Sequence, residues 1–357
     1  MPDHPVIEAA NAFRSQLLKR ERAVAVRMVN EYGRIYTNLQ AAIDALDLEI
    51  AAMPNPTPGK VAKLARFKAI QAQIEAELMR YGAWADTEIT AAAQQAIRDG
   101  LAQAQQLTLA GIPEPLRTVI AGSWNKLPTS AIETLLGFLA PGSPLHDSLV
   151  TQLGPTVAQG VGSALLDGLA LGYNPRKVGR IIRDTLGQAL TWALRTARTT
   201  QLWAYRESTR ASYVANRDIV RGWVWHAELG PRTCMACIAQ HGTIHSNDEV
   251  LNDHYNGRCA MVPITPSWAD LGFTGIPDTN PTIQPGREWF ENLSPAQQQA
   301  YFPSQAMFDA WKAGAVGWDD MIGSHTDPVY GSMLQLPSLK GILGDGAQEY
   351  YVRNQRR

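Results

Sequence analysis

The chain has 357 residues, 45% of them hydrophobic and 18% charged, with 32 lysines and arginines against 33 acidic side chains. This is the composition of a core-forming protein rather than a disordered or polybasic one, and the length suits two domains or one domain with long extensions. A net charge of −1 gives no global pull toward nucleic acid, so any basic surface has to be local. The opening MPDHPVIEAANAF lacks the basic and apolar regions of a signal peptide. No apolar run reaches the roughly eighteen residues of a membrane span. The nearest, Val161 to Leu171, is short and carries Asp167. The expectation is a protein with no membrane partner, made and used in a cytoplasm or in something assembled there.

Residues from about 6 to 52 read as one long helix. No proline falls between Pro5 and Pro54, and Phe13, Leu17, Val24, Met28, Tyr32, Tyr36, Leu39, Ile43 and Leu46 recur at helical spacing. Gly33 is a weak point within it. Met53-Pro-Asn-Pro-Thr-Pro-Gly59 breaks the chain, and further helices are expected from about Lys60 to Tyr81 and from about Thr87 to Leu107. Together they make an antiparallel hairpin or small bundle, either a plain scaffold or an arm that docks on a partner. Residues 112 to 173 carry six prolines between short helices, and Gly160, Gly162, Gly168 and Gly172 form a small-residue run.

Asn174-Pro175 is a helix start, and helix is expected to about Asp218, with a possible interruption near Gly187. Between Arg176 and Arg221 ten basic residues face only Asp184, Glu207 and Asp218. On one continuous helix, Arg195, Arg198, Arg206, Arg210, Arg217 and Arg221 fall within an arc of about 140°. A stripe of guanidinium groups suits phosphate contact without base reading, and it equally suits a solvated or ion-paired face. The aromatics Trp192, Trp203, Tyr205 and Tyr213 read as core.

All three cysteines lie in Gly222–Pro263. Cys234 and Cys237 form a C-x-x-C knuckle; after sixteen intervening residues His254 and Cys259 return as H-x4-C. Two pairs of this spacing, brought together by a hairpin, can hold one zinc ion with three thiolates and one imidazole. His241 and His245 are alternatives to His254 as the fourth ligand. The flanks predict a small antiparallel sheet from Gly222–Ala227, Gly242–Ile244 and Ala260–Ile264. Beyond Pro266 the chain is aromatic and loop-rich, with short helices predicted at Ser294–Tyr301 and Ser304–Ala313 and a frayed tail at Arg353–Arg357.

Three blocks in this order resemble the phage head morphogenesis family, the minor head proteins of the Mu type. They are Ala197-Arg198-Thr199 leading to Asn216; Thr233-Cys-x-x-Cys237 with His254-x-Asn256-x-Arg258-Cys259 and Pro263; and Gly286-Arg-Glu-Trp-Phe290 with Gln298-Gln299, Trp311-Lys-x-Gly314 and Ser338-Leu-Lys340. They cover roughly residues 155 to 345. Gly257 stands where family members often carry the first cysteine of Cys-Arg-Cys, and Asn252-Asp253 where Pro-Pro is common. The resemblance implies a non-enzymatic virion component in several copies at the portal vertex. Its expected partners are the portal protein and major capsid or scaffold proteins, with double-stranded DNA a further one, and its role lies in head assembly and DNA packaging or delivery.

The expected fold is therefore α+β and mainly α-helical. It comprises a helical arm or bundle over 1–110, a helical central region over 111–221, a small β module with a zinc-knuckle-like site over 222–266, and an irregular extension over 267–357. Two rival functions have different signatures. In an HNH-type nuclease, Asp253-His254 would supply a general base beside a divalent ion, yet three cysteines cannot build the usual four-cysteine support. A toxin or transferase fused to a head domain would need a nucleotide-cradling glycine pattern, which the tail lacks.

Overall fold

A computed structural model of the chain describes residues 4–55, 57–61, 63–153, 157, 160, 163, 175–270, 274–275 and 278–355. Of the sequence expectations, Gly162, Gly168, Gly172, Asn174 and, apart from Ser163, the Val161–Leu171 run lie outside these residues, as do the side chains of Tyr36 and Arg176. The fold is α+β and mainly helical. In chain order the elements are α1 (Pro5–Ala51), α2 (Pro58–Val61), α3 (Ala65–Ala110), α4 (Glu114–Ser123), α5 (Thr129–Gly137), α6 (Pro144–Leu153) and α7 (Pro175–Ala215). There follow β1 (Gly222–His226), α8 (Met235–Gln240), β2 (Ile244–Ser246), β3 (Ala260–Ile264), α9 (Gly286–Glu291), α10 (Pro295–Ala300) and α11 (Gln305–Lys312). The chain closes with β4 (Gly323–Asp327), β5 (Gly331–Gln335), α12 (Leu339–Leu343) and α13 (Ala347–Gln355). No described helix is long and apolar enough to cross a membrane.

The chain packs as two compact units that do not follow chain order. One gathers 1–17, 96–135 and 202–357; the other gathers 18–95 and 136–201. In the second unit α1 and α3 are antiparallel, because their ion pairs run in opposite directions along the two helices: Arg27–Glu88, Glu31–Arg80 and Glu49–Arg66. Val24, Met28, Ile35, Leu39, Ile43 and Leu46 of α1 are buried, as are Phe67, Ile70, Ile74, Leu78, Tyr81 and Ala85 of α3, at spacings of three and four that make one apolar face per helix. Tyr32 and Tyr81 meet edge to face at 4.9 Å, and Tyr32 donates to the Leu186 carbonyl at 2.6 Å. The two helices predicted over 60–107 are one, α3. A lone Gly82 costs about 1 kcal/mol in a helix interior, less than the burial of Tyr81, Ala85 and Ile89 across the expected break returns. α7 likewise runs through Gly187 without interruption.

In the first unit a three-stranded antiparallel sheet has the order β2-β1-β3, with Trp223 opposite His245 on one side and Pro263 on the other. Pro263 is tolerated because β3 is an edge strand. β1 is buried on both faces. Trp223 and Trp225 face a core with Tyr213, Val220, Cys237, Cys259 and Met261, while Val224 faces Val6, Ala10, Leu107 and Val262. The C-terminal region is more regular than predicted. The two expected helices form, α10 with a full Ser294–Gln297 capping box and α11 with Ser304 as its N-cap. Beyond them lie α9, the β4–β5 hairpin, α12 and α13, and Arg353 falls within α13 rather than in a frayed tail. Phe290, Phe302, Met307, Phe308, Val316 and Met321 build a core of their own onto Met235, Ile238 and Ala239 of α8. The knuckle helix is thereby held between two cores, one on each face.

Candidate metal centre

The C-x-x-C half of the site is a helix start. Cys234 is extended (φ −75°, ψ 159°), and its sulfur accepts the Cys237 N–H at 3.4 Å, the place a serine or aspartate side chain usually takes. Residues 234 and 237 lie one helical turn apart, so both sulfurs emerge on the same side. The second half is the loop Asp253–Cys259 that leads into β3. It closes on itself by Gly257 N–H to the His254 carbonyl at 2.9 Å, with Asn256 in the left-handed region at φ 60°.

These halves bring five donors together. Atoms of Cys234, Cys237 and His254 lie within 4.8 Å of one another, and so do atoms of Cys237, Asp253 and Cys259. A zinc ion with bonds of about 2.3 Å to sulfur sets neighbouring ligands about 3.8 Å apart, so closing the first group needs a contraction of under about 1 Å. The four predicted ligands are thus neighbours, but Cys259 joins the group through Cys237 rather than touching all three. Neither alternative histidine reaches them. His241 Nδ1 accepts the Ala227 N–H at 2.9 Å, and His245 is fixed between Thr243 and Glu249 and stacked on Trp223 at 4.3 Å.

The surroundings of the donors set which of them carries a proton. His254 Nδ1 donates to the Tyr255 carbonyl at 2.7 Å, which fixes the tautomer and leaves Nε2 for the site, the usual outer bond of a metal-binding imidazole. The buried Trp225 indole N–H has no hydrogen-bond partner in the structure, and it lies near enough to Cys259 to oppose in part the upward push of burial on that thiol. The hydrogen bond from Cys237, reinforced by His254, lowers the Cys234 thiol to about 5. Its partner Cys237 is pushed up, mainly because it supplies that proton, and Cys259 is pushed up by burial. Burial opposes charge on His254, but the Cys234 sulfur and the Asp253 carboxylate outweigh it and raise the imidazole to about 9. Without metal the site therefore holds a thiolate–imidazolium pair and two thiols, and loading a cation displaces those protons.

Asp253, not among the predicted ligands, organises the loop. Its side chain is fully buried. One oxygen accepts from His254 N (2.9 Å) and the Cys237 thiol (3.3 Å); the other accepts from Cys259 N (3.1 Å) and Arg206 Nη2 (2.9 Å). Burial alone would raise its carboxyl, yet the Arg206 guanidinium holds it below the ordinary carboxylate value. Arg206 also donates to the carbonyls of Gly257 (2.7 Å) and Cys259 (3.0 Å). Gly257 is required here. A Cβ at that position would stand 2.0 Å from the Asp253 carboxyl carbon, so a cysteine there would collide with the group that holds the loop. A cleft of about 130 Å³ opens on the site, lined in part by Arg232, Cys234, Cys237, His254, Arg258 and Cys259.

The arginine stripe does not form as one face. α7 ends at Ala215, so Arg217 and Arg221 are not on it, and Arg195 and Arg198 belong to the other unit from the remaining four. Arg206 is buried and committed to Asp253. Arg198 pairs with Glu21, Arg210 with Glu207, Arg217 with Asp248 and Arg221 with Asp270. The count of nearby carboxylates along the helix missed these partners because all but Glu207 come from elsewhere in the chain.

Compared with known proteins, the chain matches no family model, no curated protein and no solved structure.

Proposed function

We propose that the Cys234, Cys237, His254 and Cys259 cluster holds a structural zinc ion, and that the chain is a minor head protein of a tailed phage at the portal vertex. The observation that carries the metal reading is that Cys234, Cys237 and the tautomer-fixed His254 imidazole lie within 4.8 Å of one another, with Cys259 equally close to Cys237. Soft thiolates select zinc over hard cations, and a three-cysteine, one-histidine set leaves no coordination position for an activated water. Such an ion cross-links the start of α8 to the entry of β3. The head reading is supported by the three sequence blocks that resemble the Mu-type minor head proteins. It implies the portal protein and capsid or scaffold proteins as partners, with duplex DNA touched only by the exposed arginines. The nuclease alternative draws no support from the site, because His254 has Nδ1 on a carbonyl and Nε2 turned to the sulfurs rather than to a substrate.

The test is elemental analysis of the purified chain, combined with capture by the portal protein of the same genome. The expected result is one zinc per chain, lost in Cys237→Ser, and a stable portal complex. A metal-free chain with a wild-type melting curve refutes the zinc reading. Absence of portal capture refutes the head reading. Metal-dependent plasmid cleavage that disappears in His254→Ala would put the nuclease in its place.

A further inference from the structure

The three cysteines are not equivalent. All three line the cleft, but Cys237 and Cys259 are only 2% and 6% exposed, whereas Cys234 is partly buried. Cys237 is the shared member of both donor groups, so its sulfur lies within 4.8 Å of two others, Cys234 and Cys259, and a disulfide with either draws the two sulfurs together to about 2 Å. Of the two, Cys234 is the more exposed.

We propose that Cys234 is an oxidation site, and that peroxide closes it onto Cys237 and opens the metal centre. The Cys234 thiolate attacks one oxygen of hydrogen peroxide; the O–O bond breaks, a sulfenic acid forms, and the departing hydroxide takes a proton to become water. The Cys237 sulfur then attacks the Cys234 sulfur; the S–O bond breaks, the disulfide forms, and the departing hydroxide becomes water with the Cys237 thiol proton, or with one from solvent where zinc had already displaced it. Two electrons pass from the two sulfurs to peroxide, which is the only oxidant required. Once both sulfurs are bonded to each other, His254 and Cys259 remain. They share no donor group apart from Cys237, so the ion is released. The Asp253–Arg206 ion-pair latch uses no sulfur and survives the change, although Asp253 loses the hydrogen bond it accepts from the Cys237 thiol. Metal release depends on the zinc reading above; the disulfide depends on the thiol geometry alone.

The experiment treats the full-length zinc-loaded chain with hydrogen peroxide. It follows zinc with a chromogenic chelator and maps thiols by mass spectrometry of a non-reduced digest. The expected products are one Cys234–Cys237 disulfide, a free Cys259 and one zinc released per disulfide, with recovery on adding dithiothreitol and zinc. Cys259→Ser should still form the same disulfide, which keeps the test valid if Cys234 variants fold poorly. A Cys237–Cys259 disulfide as first product, or three free thiols at a dose that oxidises free N-acetylcysteine in the same tube, overturns the proposal. A chain that carries no zinc as purified but forms the Cys234–Cys237 bridge retains the oxidation site and overturns only the zinc reading.

Discussion

Replacing Arg206 by methionine separates a structural arginine from a surface one on the same helix. The Arg206 side chain is 8% exposed and its partner Asp253 is fully buried. Removing the guanidinium leaves that carboxylate without its counter-charge, and breaking a buried pair by removing one member costs about 3–5 kcal/mol. The carbonyls of Gly257 and Cys259 lose their donor at the same time. These losses belong to one network and are not additive, so the expected cost is about 4 kcal/mol. Arg210 lies one turn further on and pairs with Glu207 at 2.9 Å, with a quarter of its side chain exposed. Arg210→Met should cost under about 1 kcal/mol. Urea unfolding read by the fluorescence of the buried Trp223 and Trp225 compares the two, and zinc content should fall in the Arg206 variant alone. If the two substitutions cost the same, the latch does not hold the loop. In duplex-DNA binding, Arg206→Met should leave the salt slope unchanged, since a buried guanidinium meets no phosphate.

Two further outcomes test the same unit. Gly257→Ala drives a methyl group into the Asp253 carboxyl and should weaken zinc at least about tenfold, as outer-shell damage usually does. Gly33→Ala, with open space around it in mid-helix, should instead stabilise by up to about 1 kcal/mol. Wild-type zinc affinity in the Gly257 variant would remove the steric reason for glycine there. His226 is lowered to about 3 from 6.5, first by burial and then by Arg14 and His241, and His241 is lowered to about 4, mainly by burial. Both folded values lie below the unfolded one, so acid favours the unfolded chain, and stability falls as pH drops below about 6.5. His226→Gln removes one such group. Between pH 6.5 and 5 it should lose about 2 kcal/mol less than the wild type, at about 1.4 kcal/mol per pH unit. Equal acid sensitivity in the two proteins would show that His226 takes up its proton while folded.

Local signals alone determined much of this protein. Apolar spacing gives α1, the capping serines give α10 and α11, alternation gives β1 and β3, and clustered cysteines mark the knuckle, because each depends on residues within a few positions of one another. What the tertiary structure decided depends on residues far apart in the chain. α3 continues past Gly82 because buried neighbours outweigh a local weakness that sequence propensity records. The C-terminal aromatics organise helices and a hairpin because they pack against α8, a surface no local pattern announces. Asp253 was visible only as the neighbour of a histidine, and Arg206 only as one charge in a basic run. A hydrogen bond spanning 47 residues makes them the clasp of the site. The arginine face dissolved for the same reason: charge along a helix is a local sum, whereas the partners that neutralise it, Glu21, Asp248, Asp253 and Asp270, arrive only when the chain folds.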